Sequence, residues 1–152
     1  MVEVSFGKSE YISLISEFES KYFGSEAYSF DSLNDILKDN YILKNNTNLF
    51  VIVNNEELIG YIIFSILDDF TDIYKIFIRE KDRYNGYATK LIDKVYELAK
   101  KLHSKKIMIE VRRNNLNAIN FYKKNNFDQI SVRKDYYSNP VDDALIFERI
   151  VM

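Results

Sequence analysis

Residues 83–88 read Arg83-Tyr84-Asn85-Gly86-Tyr87-Ala88 and separate two segments of different periodicity. Before them, residues 72–78 form a short apolar run of strand length that follows the Asp68-Asp69 turn. After them, Ala88, Leu91, Ile92, Val95, Leu98, Ala99 and Leu102 recur with a 3.6-residue period, which predicts an amphipathic helix over residues 86–102. The six residues are therefore a strand-to-helix corner. A helix start leaves backbone N–H groups without partners and carries partial positive charge, so it suits an anion. Gly86 has no Cβ, which lets a ligand come close to the chain, and Ala88 is small enough to keep that approach open. No Gly-Lys-Ser/Thr follows, which excludes a Walker A loop, and a single glycine does not make the dinucleotide fingerprint. On spacing alone the corner is either a phosphate cradle or an ordinary helix start.

Outward from this corner, residues 106–112 read as a strand, 115–124 as a helix, and 127–133 and 144–151 as strands. The strand–helix–strand over residues 72–112 is a βαβ crossover, which makes its two strands parallel neighbours. Upstream, residues 2–6 alternate as a strand does. Residues 9–22 read as a helix with Ser9 as N-cap and with Ile12, Ile15, Phe18, Glu19 and Tyr22 at helical spacing. Residues 30–37 suggest a shorter helix, and residues 49–53 and 58–67 a hairpin joined by Asn54-Asn55-Glu56-Glu57. The expectation is one α/β domain over residues 1–152, with a mixed central sheet of six to seven strands flanked by about four helices.

The length of 152 residues fits a single core. With 47% hydrophobic and 29% charged residues the composition is globular. A net charge of −2 does not point to nucleic acid or an anionic membrane, and the pairs Arg112-Arg113 and Lys123-Lys124 read as solvated surface. Without cysteine there are no disulfides, thiolate metal sites or cysteine nucleophiles. The single histidine, His103, reads as a solvated helix-end residue, so no metal site is expected. Residues 1–4 lack a signal-peptide pattern and no apolar run approaches ~20 residues, which predicts a soluble, cytoplasmic protein.

Two residues are candidates for proton chemistry. Glu110 interrupts the apolar strand Ile107-Met108-Ile109-Glu110-Val111, where a carboxylate is costly unless paired or functional. Its bland explanation is pairing with Arg112 or Lys106 on the same strand face. Tyr122 lies on the following helix, where core packing is the bland explanation.

Arg83, Gly86 and Ala88 occupy the three fixed places of an R/Q-x-x-G-x-G/A motif, and the corner resembles the acetyl-CoA loop of the GCN5-related N-acetyltransferases (the GNAT fold). Residues 109–122 resemble that family's second conserved block, a strand ending Glu110-Val111-Arg112, then Asn115, then a helix with Ala118 and Tyr122. The family's glycine-phenylalanine turn is Asn126-Phe127 here, a mild change because Asn tolerates the left-handed position.

The resemblance implies acetyl-CoA as cosubstrate. Main-chain groups of Ile76 and Ile78, flanking Phe77, would hold its acetyl and pantetheine parts. The N–H groups of Tyr84, Asn85, Gly86, Tyr87, Ala88 and Thr89 would hold the pyrophosphate, beside Arg83. Tyr84 and Asn85 stand where arginine and glutamine are common, so this cradle rests on backbone. Asn115 would contact CoA, with Tyr122 near its sulfur. Glu110 is implied as general base and Tyr122 as general acid.

Within the family the chain is most similar to the ribosomal-protein-alanine N-acetyltransferases. It shares the Glu110-Val111-Arg112 block, the tail Arg133-Lys134-Asp135-Tyr136-Tyr137, and Asp142-Asp143-Ala144. Glu19 and Ala27-Tyr28-Ser29 are faintly similar to that group's Glu and Pro-Trp-Ser segment, without its proline and tryptophan. The similarity implies a protein N-terminus as acceptor, in a groove lined by Tyr136, Tyr137 and residues 19–29. Glu19 would either meet the ammonium or stand as a helix-surface carboxylate. Deprotonating a terminal amine of pKa about 8 at pH 7 costs about 1.4 kcal/mol, against about 4.6 kcal/mol for lysine. Other readings are a small amine (polyamine, aminoglycoside) or lysine acceptor, and a non-catalytic acyl-CoA-binding domain. Monomer and homodimer both stay open.

Overall fold

The computed structural model describes residues 1–38 and 43–152. Seven strands and four α-helices follow in the order β1 (Val2–Phe6), α1 (Ile12–Phe23), α2 (Phe30–Lys38), β2 (Thr47–Asn54), β3 (Glu57–Ile66), β4 (Phe70–Ile78), α3 (Tyr87–Lys101), β5 (Lys106–Arg112), α4 (Leu116–Lys124), β6 (Asp128–Tyr137) and β7 (Asp142–Ile150). This is the mixed sheet with four helices that the periodicities predict. Ser9 differs from expectation. It opens a short 3-10 turn, Ser9–Tyr11, ahead of α1, and no side chain caps that turn.

The sheet order is β1-β2-β3-β4-β5-β7-β6, and only β4 and β5 run parallel. Strand alternation sends side chains to two cores. Phe50, Ile52, Ile62 and Phe64 pack under Leu91, Ile92, Val95 and Ala99 of α3. Leu49, Val51, Tyr61 and Ile63 pack under Ile12 and Ile15 of α1 and Leu33 of α2.

Four irregularities interrupt the sheet, and two of them bear on the site. The first is in β4. Phe64 pairs with Ile73 and Ile63 with Lys75, so Tyr74 is a bulge. The β4–β5 ladder also stops there, at Ile73↔Ile109, while β5 stays paired with β7 as far as Arg112↔Ala144. A bulge bends its strand, and beyond Tyr74 the two parallel strands part. The second is in β6. Between Arg133↔Ala144 and Tyr137↔Asp142, three β6 residues face one β7 residue, and β6 runs four residues past its expected end at Arg133. Asp143 holds this bulge, accepting hydrogen bonds from the Asp135 N–H (2.8 Å) and Arg113 Nε (2.9 Å).

Helices α3 and α4 end alike. In α4, Asn126 N–H donates to Lys123 O (3.3 Å) and Phe127 N–H to Tyr122 O (3.0 Å), with Asn126 left-handed at φ 69°. The Tyr122 and Phe127 rings meet at 5.3 Å, completing a Schellman motif. His103, at φ 64°, has the same place after α3 and is solvent-exposed, as expected of it.

Candidate active site

Two clefts flank the divergence of β4 and β5. The first, of about 790 Å³, is lined by residues 76–78 of β4, by the 82–89 corner apart from Asn85, and by Asn115 with the α4 residues that face it, Tyr122 among them. Arg79 N–H donates to Ile59 O (2.9 Å), so Gly60 and Ile78 form a non-hydrogen-bonded pair. By two-residue alternation the N–H and C=O groups of Ile76 and Ile78 then point away from β3, into the divergence. Arg83 Nε already takes the Ile78 carbonyl (2.9 Å), which ties the corner to the strand end. The Ile78 N–H and both groups of Ile76 stay open to a ligand. Phe77 differs: its main chain faces β3, and its ring sits among Phe18 (4.9 Å), Tyr22 (5.1 Å) and Tyr61 (5.5 Å).

Gly86 caps α3 in the left-handed conformation (φ 78°), no side chain bonds the first N–H groups of the helix, and a Cβ at Gly86 would meet nothing. The helix start therefore presents bare donors to open space, which suits a pyrophosphate. Tyr84 is also left-handed (φ 65°) and almost fully exposed. Asn85 turns inward, its Nδ2 donating to Asp82 O (2.9 Å) and Arg83 O (3.1 Å), so its side chain closes the loop. Asn115 caps α4, accepting from the Ala118 N–H (3.2 Å) and keeping its own amide N–H groups for the cleft. Tyr122 is buried and burial pushes its pKa up. Among the described residues nothing bonds its hydroxyl, which stays protonated at the cleft wall.

The second cleft, of about 950 Å³, is lined by the segment between α1 and α2, by Asp72 to Lys75 of β4, by Glu110 of β5 and by residues 136–139. Along β5, Ile107, Ile109 and Val111 are buried, and Glu110 lies on the opposite face with Met108. Its partner is Arg133 Nη1 (2.8 Å) of β6, reached across β7, and neither Arg112 nor Lys106. Arg112 instead stacks on Tyr137 (4.2 Å) and faces Glu26 (3.8 Å), while Lys106 faces Glu148 (3.6 Å). The β6 bulge puts Tyr136 and Tyr137 on the wall, their rings 5.1 Å apart at 85°. Burial and then Glu110 push the Tyr137 hydroxyl up to about 12.

Glu19 does not stand on the helix surface, nor free to meet an ammonium. It is fully buried and accepts from the Tyr28 N–H (2.9 Å), the Tyr61 hydroxyl (2.5 Å) and Lys75 Nζ (2.8 Å). Lys75 also reaches the Glu26 carbonyl and lies over the Phe23 ring (4.1 Å). The carboxylate thus anchors the cleft wall from behind. Its place among Ile12, Ile15 and Phe18 in the helical period was the available signal.

Asp72 also lines this cleft, and the sequence carries no motif for it. It pairs with Met108, two residues before Glu110, so both carboxylates share one sheet face. Burial, then the Glu110 charge, raises its pKa from 3.8 to about 6, with Arg133 opposing.

Residues 12–127, about three quarters of the chain, match the acetyltransferase (GNAT) family. The chain belongs to that family. A Bacillus subtilis relative, provisionally named a ribosomal protein bS18-alanine N-acetyltransferase, is 28% identical over 137 residues, 90% of this chain and 87% of its own. The ribosomal-protein-S18-alanine N-acetyltransferase of Escherichia coli superposes with a TM-score of 0.82 at 17% identity, over 99% of this chain and 94% of its own. A GNAT acetyltransferase of Elizabethkingia anophelis with acetyl-CoA bound gives 0.73 at 16% identity, over 98% and 97%. The solved structures bear on the fold; the family carries the reaction. This GNAT enzyme is an acetyl-CoA-dependent N-acetyltransferase, and one cleft lies on each side of its parted strands.

Proposed function

We propose that this enzyme acetylates the N-terminal amine of a protein, such as a ribosomal protein, by direct attack on the thioester. The observation that carries the reading is the second cleft. Carboxylates line it where β4 and β5 part, and Tyr28, Tyr136 and Tyr137 line it too. A chain end entering there brings a single ammonium to the carboxylates. Tyrosines supply apolar faces and hydroxyls that suit extended backbone. The Bacillus subtilis relative, similar over nearly the whole chain, supports the same acceptor class.

In this reading Tyr84 to Thr89 bind the pyrophosphate through backbone N–H groups, with Arg83 bracing the loop and Asn115 meeting the pantetheine side. Ile76 and Ile78 orient the thioester with main-chain groups. Glu110 serves the incoming ammonium as base. The freed amine attacks the carbonyl carbon, the C–S bond breaks, and Tyr122 gives its proton to the departing sulfur. We place the reaction in the cytoplasm; among the described residues no helix is long and apolar enough to cross a membrane.

Three carboxylates in one cleft, Glu26, Asp72 and Glu110, also favour a small polyamine as a second reading. Steady-state kinetics with a lysine-free peptide, its N-terminally blocked lysine-containing counterpart and spermidine separates them. The free N-terminus is expected to react fastest. Faster turnover of the blocked peptide or of spermidine overturns the proposal.

A further inference from the structure

Of the three carboxylates in the acceptor cleft, Glu26 faces Arg112 (3.8 Å) and Glu110 faces Arg133 (2.8 Å). Asp72, partly buried, has no hydrogen bond or ion pair among the described residues. The β4–β5 register sets it on the same sheet face as Glu110, at the last rungs before the strands part. The charges and titratable groups around it come from each packed element. They are Glu110 of β5, Arg133 of β6, Tyr28 from the segment after α1, and Lys75 of β4, the last already bound to Glu19.

We propose that Asp72 and Glu110 form one proton-accepting unit, in which Glu110 meets the ammonium and the proton comes to rest on Asp72. This rests on the reading that an amine enters this cleft. Glu110 already has its carboxylate engaged by Arg133 (2.8 Å). Asp72 lacks such a partner, and its raised pKa brings it nearer to an amine of about 8 while leaving it ionised at neutral pH.

The step balances. An N–H bond of the ammonium breaks and an O–H bond forms on Asp72, directly or through one water. The amine lone pair then forms the C–N bond and the C–S bond breaks. Sulfur takes the Tyr122 proton, and the adduct's remaining extra N–H proton returns to the Tyr122 oxygen. Asp72 releases its proton to solvent, leaving amide, CoA thiol and H⁺.

The test combines kinetics of Asp72→Asn and Glu110→Gln with a carbon-13 titration of the Asp72 carboxyl in the folded, substrate-free enzyme. In the wild type, kcat/KM is expected to fall as pH drops through about 6. Asp72→Asn is expected to lose that limb and run roughly 10²-fold slower at every pH above it, with acetyl-CoA affinity unchanged. The Asp72 carboxyl is expected to titrate near 6 in the wild type and lower in Glu110→Gln, where the like charge is gone. A merely structural aspartate would leave the kinetic limb in place when replaced. Wild-type rate and limb in Asp72→Asn, or a carboxyl titrating in the ordinary aspartate range, would overturn the proposal. Failure of the wild type to acetylate any peptide would reject the acceptor reading instead, and the titration separates the two because it needs no substrate.

Discussion

At the scale of single residues, the proposed mechanism divides its proton work between two environments. Glu110 lies in a polar cleft against Arg133, and Tyr122 lies in a dry wall with a hydroxyl that burial keeps protonated. Tyr122→Phe removes only the oxygen and is expected to lower kcat by roughly 10²–10⁴, with acetyl-CoA affinity little changed. Stopped-flow or steady-state rates with a saturating peptide check this, and an unchanged kcat would mean that water protonates the sulfur. Asp72 also has a stability signature. Its folded pKa lies above its ordinary value, so the folded chain binds its proton more tightly than the unfolded chain does. Its contribution is therefore fully present below about pH 3.8 and is lost as pH rises through about 6. Asp72→Asn is expected to be more stable than wild type above pH 6 and equal to it below pH 4, as read from denaturant midpoints at each pH.

At the scale of elements, the corner between β4 and α3 is the part most visible in the sequence. A helical period of seven apolar positions and one glycine sufficed to locate it, because both are local properties. Gly86→Val puts a branched side chain at φ 78°, where the uncapped N–H groups face open space. Acetyl-CoA affinity is expected to fall at least tenfold by calorimetry, about 1.4 kcal/mol, and unchanged affinity in a folded variant would remove the phosphate cradle. The parting of β4 from β5 was not visible. It depends on the bulge at Tyr74, and a bulge shows only when the partner's register is known. The same holds for β6, whose bulge is set by Asp143 reaching back to Asp135. The tail was singled out by resemblance, and its mechanical reason lies across the hairpin.

At the scale of the whole molecule, a buried charge network fastens the acceptor wall to the core. Glu19 of α1 joins Tyr61 of β3, Lys75 of β4 and the Tyr28 backbone. Glu19→Ala leaves the Lys75 ammonium, 11% exposed, without its carboxylate. Breaking such a pair typically costs about 3–5 kcal/mol, and a loss below 1 kcal/mol in chemical denaturation would contradict the anchoring role. Glu19 occupied an apolar position in the helical period, and Lys75 sits in an apolar strand, yet sequence alone could not join residues 56 positions apart. In the proposed reading, acetyl passes from acetyl-CoA in one cleft to a terminal amine in the other, on the two sides of the parted strands. The decisive experiment offers the enzyme one peptide carrying both a free N-terminus and an internal lysine, and locates the acetyl group by fragment mass spectrometry. Acetyl is expected on the N-terminal nitrogen, with lysine unmodified at early times. Acetyl on the lysine with a free N-terminus would contradict transfer to a terminal amine.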